Sequence, residues 1–183
     1  MKSIEEQLAR YKSVHLNKKN IQTHFVGIPL IVFAVTLMLG TVTFEANFDN
    51  LFGMPLTLNF SLAMALFAVV AIYYFALHRP LALGMLLYII VNLLLVELFS
   101  ETEGVMTIAI AVFVVGWVIQ FLGHYYEKAK PAFVDDLSQF LIGPLFLMAE
   151  LYFIIGLSPD LNKRITPMAI EKRRALEAKK ASN

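Results

Sequence analysis

Four histidines are the residues of this chain best suited to chemistry: His15, His24, His78 and His124. Each lies just before or at the end of a long apolar segment, and in an alternating series of membrane spans all four positions fall on one side. Neutral imidazole is the commonest metal ligand, and helical bundles build metal sites from converging side chains. A histidine also suits a membrane surface simply because it is half apolar. Four on one side and none on the other favour a metal site.

The first two histidines flank a polar run that contains Asn17 and Asn20. On a helix, Asn17, Asn20 and His24 share one stripe, at steps of three and four residues. His15 is half a turn out of phase with His24, so both rings can face one site only if the helix breaks between them. Asn17 is a plausible N-cap for such a break. We therefore predict that both asparagines support the site.

A second polar stripe lies near the end of another apolar segment, where Gln120, His124 and Glu127 share a helix face. A glutamate three residues after a histidine can reach the same metal ion or orient the imidazole. The alternative is an exposed Glu127 that pairs with Lys128 or Lys130. We expect His15, His24, His124 and Glu127 to be catalytic, with Gln120 in support.

The types of ligand in the chain limit which metal ions the site could bind. The chain has no cysteine, which excludes disulfides, thiolate metal sites and cysteine nucleophiles. Imidazole and carboxylate ligands without sulfur suit Fe(II), Zn(II) or Mn(II). Asp135 and Asp136 follow the second stripe, and we expect them to cap the next helix rather than bind metal.

The elements that position these residues are predicted to be membrane helices. Of the 183 residues, 58% are hydrophobic and only 16% are charged, whereas a soluble domain has about 25% charged residues. A span needs roughly 20 mostly apolar residues. Four segments meet this requirement: Phe25–Phe44, Leu56–Leu77, Leu81–Phe99 and Val105–Leu122. Short joints between the second and third segments and between the third and fourth predict an all-α polytopic bundle of about four spans.

Lysine and arginine positions predict the orientation of the bundle. A four-span arrangement puts all 15 basic residues on one face, which we place in the cytoplasm with both termini and the histidines. Residues 140–157 are apolar but contain a Gly-Pro pair and Glu150, which predicts a re-entrant or in-plane helical hairpin, with a fifth span as the alternative. The predicted division is a single membrane domain, with a cytoplasmic segment 1–24, a bundle 25–157 and a basic tail 158–183. Within that tail, residues 166–182 are a helix candidate for the anionic leaflet.

A metal site at the lipid–water boundary would meet amphiphiles whose head group is at the surface and whose tail is in the bundle. This predicts a lipid or fatty acid substrate. Basic residues near the boundary could hold a carboxylate, and the candidates are Lys18, Lys19, Arg79 and Lys128. The net charge is only +1, so bulk charge gives no argument for nucleic acid.

Two stretches resemble the signatures of a known family. The first contains Tyr11, His15, Asn17, Asn20, His24 and Pro29, and the second contains Trp117, Gln120, Phe121, Gly123, His124, Glu127, Pro131, Ala132, Asp136 and Leu137. Pro144, Phe146 and Glu150 also fit. The family is the membrane 2-hydroxy fatty acid dioxygenases of fatty acid α-oxidation, and the similarity runs over roughly residues 11–157.

The resemblance implies an Fe(II)-dependent oxygenation in which a 2-hydroxy fatty acid reacts with O2 and becomes a fatty acid one carbon shorter. It implies that His15, His24 and His124 are metal-site residues, with Asn17, Asn20 and Glu127 in support. His78 belongs to no signature, so its role as a ligand rests on topology.

Two other classes of function stay open from the sequence. A zinc hydrolase acting on lipids could use the same ligands to activate water. A non-enzymatic transporter or assembly factor would instead depend on polar residues within the membrane, where Asn92 and Glu97 are the main candidates.

Overall fold

The computed structural model describes residues 2–51, 54–134 and 136–181, and within these it leaves out the side chains of residues 49–51. The described residues form seven α-helices and one antiparallel strand pair. In chain order these are α1 (Ile4–Lys12), α2 (Lys18–Gly40), β1 (Thr43–Leu51), β2 (Met54–Ser61), α3 (Leu62–Leu77), α4 (Arg79–Ser100), α5 (Val105–Glu127), α6 (Gln139–Ile154) and α7 (Pro159–Ala181), with a 3₁₀ turn at Ala132–Val134.

Three helices, α2, α4 and α5, are long and apolar enough to cross a membrane. Two shorter apolar helices, α3 and α6, pack with them. The predicted class, an all-α membrane helical bundle, is therefore confirmed, with a span count that is approximate. The boundaries of the predicted segments within the chain stay a prediction.

The predicted second span, Leu56–Leu77, is wrong at its start. Its first residues belong to β2, which pairs with β1 in a hairpin, and the helix begins only at Leu62. The physical reason is a period of two: Leu56, Leu58 and Phe60 alternate with polar residues along the strand. Total hydrophobicity over the window is high enough for a span, but the alternation specifies a strand.

Residues 140–157 lie mainly in one continuous helix, α6, with Pro144 inside it, so the predicted hairpin turn is not formed. The re-entrant or in-plane position of this segment, and the alternative of a fifth span, stay predictions. The Tyr74 hydroxyl donates a 2.6 Å hydrogen bond to the carbonyl of Leu141, which joins α3 to the first turn of α6. Glu150, which is costly in an apolar environment, pairs with Lys12 of α1 at 2.6 Å. The one carboxylate of α6 is thus paired inside the bundle.

Glycines allow α2 and α5 to approach closely. A Cβ at Gly27 would lie 2.9 Å from the carbonyl oxygen of Gly116, and a Cβ at Gly116 would lie 3.1 Å from that of Gly27. A Cβ at Gly123 would collide with side-chain oxygens of Asn20 and Thr23. Small residues at helix interfaces permit such backbone contact within membranes. This packing fixes the distance between the two helices that carry His24 and His124.

The tail helix α7 does not lie alone on a surface. It packs against α1, and Leu161, Ile165 and Ala169 on its inner face are buried. The same core includes Leu8 of α1 and Phe146 of α6. The predicted contact of the tail with an anionic leaflet stays a prediction for its outer, basic face.

Candidate metal centre

Three histidines converge at one end of the α2–α5 pair. One potential ligand atom from each of His15, His24 and His124 lies within 4.8 Å of the others, and all three residues are buried. The ring centroids are 4.5 Å apart for His15 and His24, 4.9 Å for His15 and His124, and 5.0 Å for His24 and His124. Within the described ranges, this is the one group of three or more such side chains with metal-binding geometry.

Hydrogen bonds fix the proton positions on two of the rings. Nδ1 of His15 donates to the carbonyl of Tyr11 at 2.6 Å, and Nδ1 of His24 donates to the carbonyl of Asn20 at 2.8 Å. A carbonyl oxygen only accepts, so each neutral ring carries its single proton on Nδ1. The two Nε2 atoms, 3.0 Å apart, therefore face each other with lone pairs.

Two facing lone pairs repel unless a cation lies beside them. The pKa of His15 is held well below its usual value by burial and by the positive charge that His24 and His124 would carry, so a proton is a poor candidate for this cation. The Nδ1 atom of His124 is buried and has no hydrogen-bond partner among the described residues. The donor set thus fits a metal ion, which would satisfy all three nitrogens.

The break that brings His15 to the site is the joint between α1 and α2. α1 ends at Lys12, and Asn17 caps α2 by accepting a 2.9 Å hydrogen bond from the backbone N–H of Lys19. The side-chain amide of Asn20 donates to the carbonyl of Val14 at 3.3 Å. The predicted helix break and the predicted Asn17 cap are confirmed.

Glu127 holds this joint from the end of α5. Its carboxylate accepts hydrogen bonds from the backbone N–H groups of Leu16 (3.2 Å) and Asn17 (2.8 Å) and from the amide of Asn20 (3.1 Å). Glu127 is only 5% exposed, so the alternative of a surface glutamate paired with Lys128 or Lys130 is wrong. Its oxygens are used in holding the His15 backbone, as an orienting role requires.

Arg173 of α7 also contacts Glu127, and it was not among the residues predicted from the sequence. Its guanidinium donates to the Glu127 carboxylate at 3.1 Å, to the Glu127 carbonyl at 3.2 Å and to the Ser13 carbonyl at 3.5 Å. One arginine among several in a basic tail carries no local signal of such a partner.

Tyr11 forms one wall of the site. Its ring stacks on His15 with centroids 4.1 Å apart and planes 1° from parallel, and it also contacts Phe146. Burial raises the pKa of Tyr11, so the phenol is neutral. Tyr11 and the three histidines line a small cavity with Gln120, whose buried Oε1 has no hydrogen-bond partner in the described part of the chain.

Comparison with known proteins identifies the family. The model of the family described as 2-hydroxy-palmitic acid dioxygenase Mpo1-like matches residues 1–155. The chain belongs to this family. It is also 32% identical over 163 residues to the 2-hydroxy-palmitic acid dioxygenase MPO1 of Saccharomyces cerevisiae, which covers 87% of this chain and 85% of the yeast protein. No solved structure gives a significant match.

The resemblance to the membrane 2-hydroxy fatty acid dioxygenases is therefore confirmed. The Mpo1-like match ends at residue 155, whereas Arg173 contacts Glu127 from α7. In this member of the family, a helix beyond the matched region thus contributes to the support of the histidine group.

The structure does not bring His78 to the other histidines. It lies between α3 and α4, where its Nδ1 accepts a 3.3 Å hydrogen bond from the backbone N–H of Leu81 and so caps α4. The prediction of four converging histidines is corrected to three. Topology places His78 at the same end of the bundle, but the α3–α4 joint is packed elsewhere.

The basic residues predicted to hold substrate are all exposed. Lys128 lines a groove beside His124, together with Tyr125, Tyr126, Lys130 and Lys180. Neither Lys18 nor Arg79 lines the cavity that contains the histidines.

Of the two aspartates predicted to cap the next helix, the structure describes only Asp136. Asp136 accepts hydrogen bonds from the backbone N–H of Ser138 (3.0 Å) and from its hydroxyl (2.6 Å), just before α6, and it pairs with Arg10 at 2.7 Å. These contacts lower the pKa of Asp136. The N-cap of α6 is Ser138, so the predicted helix cap is wrong for Asp136, which instead holds the turn before the helix and lies outside the histidine group. Asp135 lies outside the described residues.

Proposed function

We propose that this chain is an Fe(II)-dependent dioxygenase that shortens a 2-hydroxy fatty acid by one carbon. The observation that carries the proposal is the buried group of three histidines in a member of the Mpo1-like family. The stoichiometry balances: one 2-hydroxy fatty acid and one O2 give one shortened fatty acid, one CO2 and one water. The yeast relative is described as acting on 2-hydroxy-palmitic acid, which supports a long-chain substrate.

The ion would be held by His15, His24 and His124. No carboxylate joins this group within the described ranges, which would leave coordination positions for substrate and O2. When bound, Fe(II) would supply the redox chemistry of O2 activation and a Lewis acid for the hydroxyl and carboxylate of the substrate. A sulfur-free imidazole set also accepts Zn(II) or Mn(II), so metal identity is part of the proposal.

The surrounding side chains have separate roles in this proposal. Gln120 accepts a hydrogen bond from the substrate hydroxyl, because its Oε1 is buried, unpartnered and in the same cavity. Lys128, in the groove beside His124, attracts the carboxylate from the surface. Glu127, Asn17 and Asn20 position the backbone of the joint that carries His15. The assignment of Lys18 and Arg79 to substrate stays a prediction.

The test is oxygen uptake by the purified protein in lipid nanodiscs, loaded anaerobically with Fe(II). On addition of a long-chain 2-hydroxy fatty acid, we expect O2 consumption matched one to one by a product one carbon shorter, identified by mass spectrometry. Protein loaded with Zn(II) and the His124→Ala variant are the controls, and both should be inactive. A product formed without O2, or equally with Zn(II), would instead support the hydrolase alternative.

We further propose that the protein is multi-pass, with both termini and the histidine group on the cytoplasmic side. The support is the distribution of lysine and arginine, together with the three long apolar helices and the shorter apolar helix α3 as a fourth crossing, since an even number of crossings returns the chain to its starting side. Because the chain has no cysteine, one introduced cysteine reports the side directly. In sealed, oriented vesicles, an impermeant maleimide should label Lys163→Cys and Asn47→Cys from opposite faces. Labelling of both from one face would overturn this orientation.

A further inference from the structure

A second cavity continues from the histidine cavity into the bundle. It has a volume of about 360 Å³ and lies among α2, α3, α4, α5 and α6. The residues that line both cavities are Ile31, Val32, Trp117, Phe140 and Pro144. Because the same five side chains face both spaces, the two cavities adjoin, and a molecule held at the histidines can extend into the second space.

The lining of the second cavity is apolar, and none of its residues is charged. Of its two tyrosines, Tyr74 has its hydroxyl bonded to the Leu141 carbonyl, whereas the buried hydroxyl of Tyr88 has no hydrogen-bond partner in the described part of the chain. Protein interiors contain few voids larger than a water molecule, and an apolar lining favours an apolar ligand over water. The space therefore suits a hydrocarbon chain.

The direction of the cavity is given by two helices. Along α2 the lining runs from His24 in the first cavity to Val35 in the second, and along α5 it runs from His124 to Phe113. Each pair is eleven residues apart, which is about 16 Å of helix. The path thus runs from the histidines toward the middle of the apolar helices, and Val35 and Phe113 mark its far end on α2 and α5.

We infer that this cavity is the binding site for the alkyl chain of the substrate, and that Val35 and Phe113 limit the length of the chain accepted. The inference rests on the proposed function for the identity of the head group. The occupant is a single unbranched acyl chain, because the space continues directly from a site that would hold a carboxylate and a hydroxyl. A polar head at the histidines places the chain in this apolar extension.

The selectivity comes from the end of the cavity more than from its walls. A fatty acid arrives from the bilayer, whose interior is as apolar as the cavity, so burial of each methylene gains little. Bulky side chains at the far end, in contrast, exclude any part of the alkyl chain that would extend beyond the cavity. One methylene too many in an apolar pocket commonly changes specificity by about tenfold or more.

The first test compares chain-length profiles. Val35→Phe adds a ring at the far end, and we expect it to lower kcat/KM for the longest accepted 2-hydroxy fatty acids about tenfold while shorter ones keep theirs. Phe113→Ala removes a ring and should extend the profile to longer chains. Val69→Phe is the matched control, because it makes the same change at a residue that is 66% exposed and lines neither of the two adjoining cavities. Profiles that do not move in opposite directions would overturn the length-limiting role.

The second test does not depend on turnover. A long-chain fatty acid with a diazirine near its methyl end is photolysed in nanodiscs, and the labelled peptides are mapped. We expect labels at residues 31–35 and 113–117, removed by excess unlabelled 2-hydroxy fatty acid. Labels confined to outward-facing residues such as Val69 and Leu83 would overturn the alkyl site. Displaceable labelling of the cavity without any O2 uptake would instead retain the alkyl site and reject the proposed reaction.

Discussion

The Nε2 atoms of His15 and His24 lie 3.0 Å apart, although the two residues are on either side of a helix break. Both Nδ1 atoms donate to backbone carbonyls, so the backbone itself orients the two lone pairs toward each other. Imidazoles that bind metal typically use their other nitrogen in this way. The arrangement places two like groups in contact, and binding of a cation converts this repulsion into attraction.

Removal of one ring should therefore abolish metal binding without unfolding the protein. We expect His24→Ala to lose its metal, because two imidazoles remain where three converge, while the helical circular dichroism stays unchanged. Metal content is measured by mass spectrometry after loading and desalting. His78→Ala is the matched control and should keep its metal, losing only about 1 kcal/mol of stability with its cap. Full metal content in His24→Ala would contradict the three-histidine site.

Glu127 should act on the metal through the joint it holds. In Glu127→Ala the backbone N–H groups of Leu16 and Asn17 lose their acceptor, and Arg173 loses its buried partner. Breaking a buried pair costs about 3–5 kcal/mol, and loss of orienting contacts lowers metal affinity about 10–100-fold. Glu177→Ala removes the other, exposed partner of Arg173 and should change both quantities little. Metal affinity and thermal unfolding distinguish the two variants; equal effects would reject the positioning role.

The close approach of α2 and α5 should be required for the site. In Gly123→Ala the new methyl group meets Asn20 and Thr23, so the helices must separate or shift. We expect a loss of about 1–3 kcal/mol in stability and a weakened metal site, since His24 and His124 move apart. Gly84→Ala is the control: its Cβ meets the ends of the Met148 and Tyr152 side chains, which can rotate away. Unchanged metal affinity in Gly123→Ala would show that the contact is not needed.

The ion pair between Lys12 and Glu150 should stabilise α1 against α6 only as a pair. The two groups are 2.6 Å apart, and their side chains are 11% and 14% exposed. Glu150→Leu alone leaves a nearly buried ammonium and should cost about 3 kcal/mol, whereas Lys12→Met together with Glu150→Leu should recover most of the loss. The free energies of unfolding of these variants, measured in bicelles, give the double-mutant cycle. Additive losses would show that the two residues do not interact.

The local part of the site was predictable from sequence. The half-turn offset between His15 and His24 required a helix break, and Asn17 supplied the cap, because both features depend on helical spacing alone. Glu127 was assigned a supporting role without its partners. Those partners, the joint 110 residues earlier and Arg173, depend on tertiary packing that leaves no mark in spacing.

The errors have a related origin. The apolar window at Leu56–Leu77 averaged a strand of alternating pattern with a helix, and only the period separates the two. For His78, the alternation of spans predicts a side of the bundle but gives no distance to the other histidines on that side. Pro144 suggested a turn, yet the helix is continuous, because a proline removes only one hydrogen bond of the ladder and can bend a helix without ending it.

The contact between Arg173 and Glu127 also sets an order of events in biosynthesis. Chains emerge from the ribosome with the amino-terminal end first, so His15 is made before every apolar helix and Arg173 after all of them. Until α7 has been synthesised and docked on α1, the Glu127 carboxylate and the carbonyl of Ser13 lack this cationic partner. The contact with Arg173 can therefore form only after α7 has been made, and we expect metal taken up before then to bind more weakly.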